Sequence, residues 1–104
     1  MKAMLALMSE LLAVFFVFQT AAANEMTGKE LFEKHCAVCH PDGGNIVNPE
    51  YTLHKKDREK HGVKTVKDII DKMRNPGPGM NQFDKKMIPD DQAKKIAEYI
   101  LKTF

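Results

Sequence analysis

The sequence has little cysteine, little excess charge and few aromatic residues. Of its 104 residues, two are cysteine and 8% are aromatic, and the formal net charge is +2. A balance this close to neutral, with no aromatic side chains interleaved among basic ones, gives no support to nucleic-acid binding. After the first 23 residues, no stretch alternates apolar and polar positions as a half-buried strand does, which argues against a sheet-based fold. The sequence therefore predicts one small helical domain.

Residues 1–23 differ in composition from the rest of the chain. They begin with a cation, continue as an apolar run and end in three alanines, which is the layout of a secretory signal peptide. A membrane anchor is the alternative, but Glu10 interrupts the run and residues 11–18 are too few to span a bilayer. We expect cleavage after Ala23. The product, residues 24–104, is then a soluble domain in the periplasm or an equivalent extracytoplasmic compartment, without stable membrane insertion.

Both cysteines belong to one C-x-x-C-H motif, formed by Cys36, Cys39 and His40. A thioredoxin-like pair is expected near a βαβ pattern, which the sequence lacks. A structural zinc site takes four ligands in clustered pairs, and there is no second C-x-x-C. In an exported chain, C-x-x-C-H is typical of covalent haem attachment. We therefore predict one haem c, joined by thioethers to Cys36 and Cys39 and ligated axially by His40.

Two consequences follow from this haem prediction. A disulfide between Cys36 and Cys39 would close a very short loop and stabilise the fold little, whereas a haem adds the apolar surface that so short a chain lacks. As an axial ligand, His40 needs an acceptor for its second ring nitrogen. We expect a backbone carbonyl in the following loop, residues 41–49, to provide it.

Capping residues and apolar spacing predict an all-α fold of about four helices with long loops. Thr27 and Glu30 form a capping box from which a first helix runs into the C-x-x-C-H motif. The charged segment 51–62 is compatible with a second helix that ends at glycine. A second cap at Thr65 and Asp68 starts the third helix. The last helix begins near a proline. The predicted core faces of the third and last helices are Val66, Ile69, Ile70 and Met73, and Ala93, Ile96, Ala97, Ile100 and Phe104.

Met80 is the predicted sixth ligand of the iron. It lies in NPGPGMNQF, where two prolines stiffen the loop and two glycines allow the backbone to approach a flat cofactor. Met26 is too close to the attachment motif to reach the opposite face of a haem. For Met73 and Met87 the ordinary explanation is packing in the core, although Met87 stays an alternative ligand. A histidine also stays open as the ligand, but we expect solvated surface positions for all three candidates: His35, His54 and His61.

With these residues the sequence resembles the class I cytochromes c, most nearly the cytochrome c-six branch of soluble electron carriers, over nearly all of residues 24–104. The residues that carry the resemblance are Gly28, Phe32, Cys36-x-x-Cys39-His40, Met80-x-x-Phe83 and Tyr99. The resemblance implies a small all-α fold wrapped around the haem, with Gly28 and Phe32 packed against Tyr99. It also implies axial ligation by His40 and Met80.

Two positions depart from the pattern of that branch. The proline that usually follows the ligand methionine is Asn81 here, and a glutamine close to the haem is replaced by Lys72. A lysine there would interact with the charge of the iron and with the haem carboxylates. These departures leave the reduction potential open. The resemblance does not imply photosynthesis, because bacterial relatives with this loop resemble carriers of respiratory or metal-reducing chains.

The predicted function is one-electron transfer between redox proteins, such as other cytochromes or membrane oxidoreductases, by a monomer that docks weakly and transiently. Four lysines are candidates for steering an acidic partner, unless neighbouring carboxylates balance them. They are Lys55, Lys56, Lys85 and Lys86. The rival hypotheses are a peroxidase-like or gas-binding haem protein, which needs an open sixth position, and a thiol oxidoreductase without haem.

Overall fold

The computed structural model describes residues 25–104, so the predicted signal peptide, residues 1–23, lies outside the described part of the chain. Within residues 25–104 the structure contains four α-helices and no β-strand, and the all-α prediction is confirmed. The helices are α1 (Gly28–His35), α2 (Lys55–Lys60), α3 (Val66–Arg74) and α4 (Asp90–Thr103).

Both predicted helix caps are formed, although the capping box predicted at Thr27 and Glu30 is only half complete, because the Glu30 carboxylate accepts from the Thr27 hydroxyl and not from the Thr27 amide. At the start of α1, the hydroxyl oxygen of Thr27 accepts a hydrogen bond from the Glu30 amide at 3.2 Å. At the start of α3, Thr65 accepts from the Asp68 amide at 3.1 Å, while the Asp68 carboxylate accepts from the Thr65 amide at 3.0 Å. These side chains satisfy amides that have no partner inside the helix, and they therefore fix where each helix begins.

Helix α1 ends just before the C-x-x-C-H motif instead of extending through it. Cys36 caps the helix, its amide donating to the Phe32 carbonyl at 2.8 Å. The amides of Cys39 and His40 both donate to the Cys36 carbonyl, at 3.1 and 2.9 Å. The motif is thus a tight turn that continues directly from the helix, and α1 anchors it.

Helices α1 and α4 pack closely, as the resemblance implied. The rings of Phe32 and Tyr99 lie 5.3 Å apart. Gly28 allows this approach, because a Cβ at Gly28 would clash with the Lys95 carbonyl oxygen and lie 3.1 Å from the Tyr99 Cβ. The absence of a side chain at residue 28 therefore sets the distance between the two helices.

The core lies between α4 and the two helices α1 and α3. The predicted face of α4 is buried at Ala93, Ile96, Ala97 and Ile100, and each buried isoleucine contributes roughly 1.5–3 kcal/mol through the hydrophobic effect. Of the predicted face of α3, Ile69 and Met73 are buried, and Val66 and Ile70 pack partly buried against them. Leu31, Phe32 and Ile88 complete the buried hydrophobic set.

The C-terminal residue ties α2 to this core. The Phe104 carbonyl accepts a hydrogen bond from the Lys55 amide at 3.1 Å, and its ring lies 5.4 Å from that of Phe32. All six residues of helix α2 are charged, so the helix has no apolar side chain of its own to pack into the core. The end of α4 therefore positions the segment that forms one wall of a large cavity.

Candidate functional site

A cavity of about 680 Å³ opens between the attachment turn, α2, α3 and the loop after α3. All four predicted site residues line it: Cys36, Cys39, His40 and Met80. Residues that are distant in sequence thus meet at one cavity. Its volume lies within the range of about 300–1,000 Å³ that is usual for organic cofactors and ligands.

Burial governs the chemistry of the first cysteine. It raises the pKa of the Cys36 thiol to about 12, with a smaller contribution from neighbouring Cys39. Reactive redox cysteines have a lowered pKa, since the thiolate is the nucleophile. The environment of Cys36 is therefore the opposite of that in a thiol oxidoreductase.

His40 is held in one orientation by the loop that follows it. Its Nδ1 lies 2.7 Å from the carbonyl oxygen of Gly44. Because a carbonyl only accepts, Nδ1 carries the proton, which leaves the Nε2 lone pair available to a metal. The loop is itself fixed, since the Ile46 amide donates to the Cys39 carbonyl at 3.0 Å. The prediction of a carbonyl acceptor within residues 41–49 is confirmed.

The loop that carries Met80 is attached to α3 by three hydrogen bonds. The Phe83 amide donates to the Met73 carbonyl at 2.9 Å. Arg74 Nη1 donates to the Phe83 carbonyl at 3.1 Å, and Gln82 Nε2 donates to the Arg74 carbonyl at 2.9 Å. These bonds fix the end of the loop, so the position of Met80 depends on the last turn of α3.

Gly79, directly before Met80, has a conformation that other residues rarely adopt. Its φ is +87°, and a Cβ there would lie 2.8 Å from Cγ1 of Val47. Val47 and Gly79 both line the cavity. The glycine therefore permits the turn that leads into Met80 and the close contact with the opposite loop.

Of the two methionines predicted to pack in the core, Met73 is buried and Met87 is not. Met73 is 3% exposed and belongs to the core, as predicted, and it also lines the cavity. The predicted core contact of Met87 is wrong: it is 53% exposed, while its neighbour Ile88 is fully buried. A turn closed by Asp84, which accepts from the Met87 amide at 2.9 Å, directs Ile88 rather than Met87 inward.

The predicted solvated positions are wrong for two of the three histidines. His54 is exposed as expected, but His35 and His61 are partly buried and line the cavity. The pKa of His35 is lowered by burial and, to a smaller extent, by Lys34. His61 stacks on Tyr51 with ring centroids 4.0 Å apart. The charged composition of residues 51–62 suggested solvation, whereas the segment folds one of its faces onto the cavity.

That segment supplies the polar wall of the cavity, which the sequence did not reveal. We use "polar wall" for Tyr51, Thr52, Asp57, Arg58 and His61, all of which line the cavity. Arg58 is 5% exposed and its Nε donates to the Leu53 carbonyl at 2.7 Å. The hydroxyl of Thr52 donates to the Asp57 carboxylate. Helical periodicity gives no signal here, because α2 has only six residues.

The two positions that depart from the family pattern, Lys72 and Asn81, also line the cavity. Lys72 is exposed on α3, so its ammonium group can remain hydrated while its stem contacts the cavity. The expectation that a lysine stands close to the cofactor position is therefore supported.

The zinc interpretation gains nothing from the geometry, and the membrane-anchor interpretation concerns residues 1–23, which lie outside the described part of the chain. In the part of the chain that the structure describes, no three His, Cys, Asp or Glu side chains cluster as a metal ion would require, so the zinc interpretation is not supported. Within residues 25–104, no helix is both long enough and apolar enough to cross a membrane.

The lining of the cavity fits a covalently attached haem. Two cysteines three residues apart in a turn present sulfur for thioethers, and an imidazole nitrogen and a thioether sulfur are both ligands that haem iron takes. Apolar residues of the core, among them Ile69, Met73 and Ile100, also border the cavity and offer a surface for the porphyrin.

Comparisons with known proteins agree with this geometry. A family model described as "Cytochrome C oxidase, cbb3-type, subunit III" matches residues 23–100. Cytochrome c6 of Rippkaea orientalis is 35% identical over 104 residues, which cover 97% of this chain and 93% of that protein. Outer membrane cytochrome F (OmcF) of Geobacter sulfurreducens has 53% identity and a TM-score of 0.72, over 74% of this chain and 98% of that one. Cytochrome c6C of Synechococcus sp. PCC 7002 has 29% identity and a TM-score of 0.68, over 72% of this chain and 90% of that one.

Proposed function

Because the chain belongs to the c-type cytochrome family and has the cytochromes c6 among its relatives, we propose that it transfers single electrons between redox proteins outside the cytoplasm. It is an electron-transport protein with one covalently bound haem c. We further propose which residues hold this haem, in which compartment the protein acts and with which partners it exchanges electrons.

One observation carries the assignment of the site: Cys36, Cys39, His40 and Met80 line the same cavity. We assign the thioether bonds to Cys36 and Cys39 and the axial positions to His40 and Met80. The Gly44 carbonyl supports His40 in this role, because it holds the proton on Nδ1 and leaves Nε2 free.

When bound, haem supplies a one-electron iron couple. The protein determines how that couple behaves through the residues around it. A methionine ligand raises the reduction potential relative to a second histidine. The hydrogen bonds from Arg74 and Gln82 restrain the Met80 loop, so little rearrangement is needed between oxidation states. A fixed coordination shell is what an electron carrier requires.

The proposed ligation of both axial positions by side chains favours a carrier over an enzyme. Peroxidase or gas-binding chemistry needs an open or labile sixth position. Met80 lies in a loop fixed at the Phe83 end by two backbone-directed hydrogen bonds, at 2.9 and 3.1 Å. The exposed methionine, Met87, is absent from the cavity lining.

Partners are proposed to dock at the surface beside the attachment turn. Val38, between the two cysteines, is 76% exposed. Ile46, whose amide donates to the Cys39 carbonyl, is 65% exposed, so the surface beside the turn is accessible and apolar. Among the predicted steering lysines, Lys55 lies 4.0 Å from Glu59 and Lys85 lies 3.4 Å from Asp90. These pairs reduce the local positive charge. We propose weak, transient contacts with other cytochromes or membrane oxidoreductases.

The periplasm, or an equivalent extracytoplasmic compartment, is the proposed location. Support comes from the signal-peptide layout of residues 1–23 and from the C-x-x-C-H motif itself. We propose that the functional form is residues 24–104, acting as a monomer.

Visible spectroscopy combined with potentiometric titration tests the proposed function. The purified holoprotein should show a low-spin spectrum with the weak near-red band of methionine-ligated ferric haem, and it should titrate as a single one-electron couple. A high-spin spectrum with rapid carbon monoxide binding would instead indicate a gas-binding or peroxidase-like protein.

A further inference from the structure

Arg58 is a buried charged side chain without a charged partner. It is 5% exposed. Its Nε donates to the Leu53 carbonyl at 2.7 Å, which fixes the plane of the guanidinium. Within residues 25–104, no carboxylate lies within ion-pair distance of Arg58, although six other ion pairs are formed. Burying an unpaired cation is costly, so this arrangement requires an explanation.

The unpaired part of Arg58 faces the cavity. In the described part of the chain, neither Nη atom makes a hydrogen bond to protein, yet no buried side-chain nitrogen or oxygen there is left without a partner. The Nη atoms are therefore not sealed inside the protein. Since Arg58 lines the cavity and is otherwise buried, its free donors are accessible from the cavity.

The nearby acidic group is already occupied by another donor. Asp57 is adjacent in sequence and lines the same wall, but its carboxylate accepts from the Thr52 hydroxyl. The remaining ionisable members of the polar wall are Tyr51 and His61, which stack on each other. His61 Nδ1 lies 2.9 Å from the Asp57 carbonyl, so that nitrogen is the donor of a bond within the protein. None of these groups provides the anion that Arg58 lacks.

The ligand that this cavity takes carries such anions. A haem has two propionate carboxylates on the edge opposite its vinyl groups. The vinyl groups react with the cysteines of the attachment turn, whereas Arg58 belongs to the polar wall, on another segment of the chain. A guanidinium with two free Nη donors matches a carboxylate geometrically better than the flexible ammonium of exposed Lys72.

We propose that Arg58 is the receptor for a haem propionate: its Nη donors bind the carboxylate while its Nε bond to Leu53 holds the guanidinium in place. The inference rests on the proposed function, because it assumes that haem occupies the cavity. The neighbours of Arg58 in the sequence are all charged, as in a solvated helix, so the sequence alone gives no sign of this role. The positive charge of Arg58 then stabilises the ionised form of that propionate. It also stabilises the ferrous over the ferric iron, because the ferrous site carries less positive charge.

The direct test uses the unmodified holoprotein. NMR on arginine-labelled ferrous protein should show contacts between the Arg58 guanidinium protons and one propionate side chain of the haem. A guanidinium distant from both propionates would overturn the proposal, and it would do so even if the haem were attached and ligated as proposed.

Variants provide a second, independent readout. In Arg58→Gln, the acid dissociation constant of one propionate, followed by NMR against pH, should fall by about tenfold or more because the stabilising cation is lost. The reduction potential should also fall. Arg58→Lys keeps the charge and should lie between wild type and Arg58→Gln. Lys60→Gln, which removes a cation from the exposed side of the same helix, should match wild type.

The outcomes separate this inference from the proposed function. Every variant is first checked for attached haem by mass and for the near-red band by spectrum. Unchanged propionate titration in Arg58→Gln, with both checks passed, contradicts the role of Arg58 alone. If wild type itself lacks haem, the proposed function fails.

Discussion

Arg74 donates a hydrogen bond from Nη1 to the carbonyl of Phe83 at 3.1 Å and so links the end of α3 to the end of the loop that carries Met80. Its Nη2 reaches Asp90 at the start of α4, at 2.9 Å. The side chain is 16% exposed and Asp90 is 65% exposed. The bond to Phe83 is therefore the better shielded one, and the ion pair adds less because water screens it.

We expect Arg74→Ala to loosen the Met80 loop. Loss of the bond to Phe83 should cost about 1–3 kcal/mol of unfolding free energy, and the near-red band should weaken because the ligand is less well restrained. Lys85→Ala, which removes a 74% exposed partner of Asp90, is the control and should change little. Denaturation curves and spectra of the two variants check this; equal effects in both would contradict it.

Replacement of individual methionines distinguishes the sixth ligand. Met80→Ala should abolish the near-red band, lower the reduction potential and permit carbon monoxide to bind the ferrous protein. Met87→Ala should leave all three properties as in wild type, since Met87 is 53% exposed and outside the cavity lining. Retention of the band in Met80→Ala would contradict the assignment and show that another methionine, such as Met73, is the ligand.

The close packing of α1 on α4 can be tested at Gly28. A Cβ at Gly28 would clash with backbone of α4. Gly28→Ala should therefore destabilise the protein by about 1–3 kcal/mol. Lys29→Ala, an exposed change on the same helix, is the control and should change stability little. Thermal unfolding measures both, and a neutral Gly28→Ala would mean that the helices have room to separate.

The cap of α3 should make stability depend on pH. Hydrogen bonds from the Lys64 and Thr65 amides lower the pKa of Asp68 below its ordinary value. A lowered folded-state pKa stabilises the protein above the ordinary value, and this contribution is lost as pH falls through the folded-state pKa.

The corresponding experiment compares Asp68→Asn with wild type across pH. The variant should have a lower Tm at neutral pH, and the difference should shrink as the pH falls through the lowered pKa of Asp68 and the wild-type carboxylate becomes protonated. Glu33→Gln, an exposed change on α1, serves as the control for general charge effects. A Tm difference that stays constant with pH would show that the carboxylate does not act through its ionised form.

The sequence predicted the parts of the fold that depend on local chemistry. Caps at Thr27 and Thr65 are set by hydrogen bonds within one turn, and the apolar faces of α3 and α4 follow the helical period, so both were foreseeable. The C-x-x-C-H motif could be interpreted for the same reason, because its chemistry lies within five consecutive residues.

What the sequence did not reveal depends on tertiary contacts. Arg58 and His61 lie in a charged segment that resembles a solvated helix, and only the docking of that segment beside Phe104 and the core places them at the cavity. Met87 and Ile88 are adjacent apolar residues, and the turn closed by Asp84 decides which of them is buried. Local pattern carries no information about either outcome.

Mass analysis of the peptide that contains Cys36 and Cys39, taken from protein secreted by a host that attaches haem, tests the central claim most directly. We expect one porphyrin bound to this peptide through both sulfurs. A peptide of unmodified mass, with both thiols free or joined in a disulfide, would contradict it.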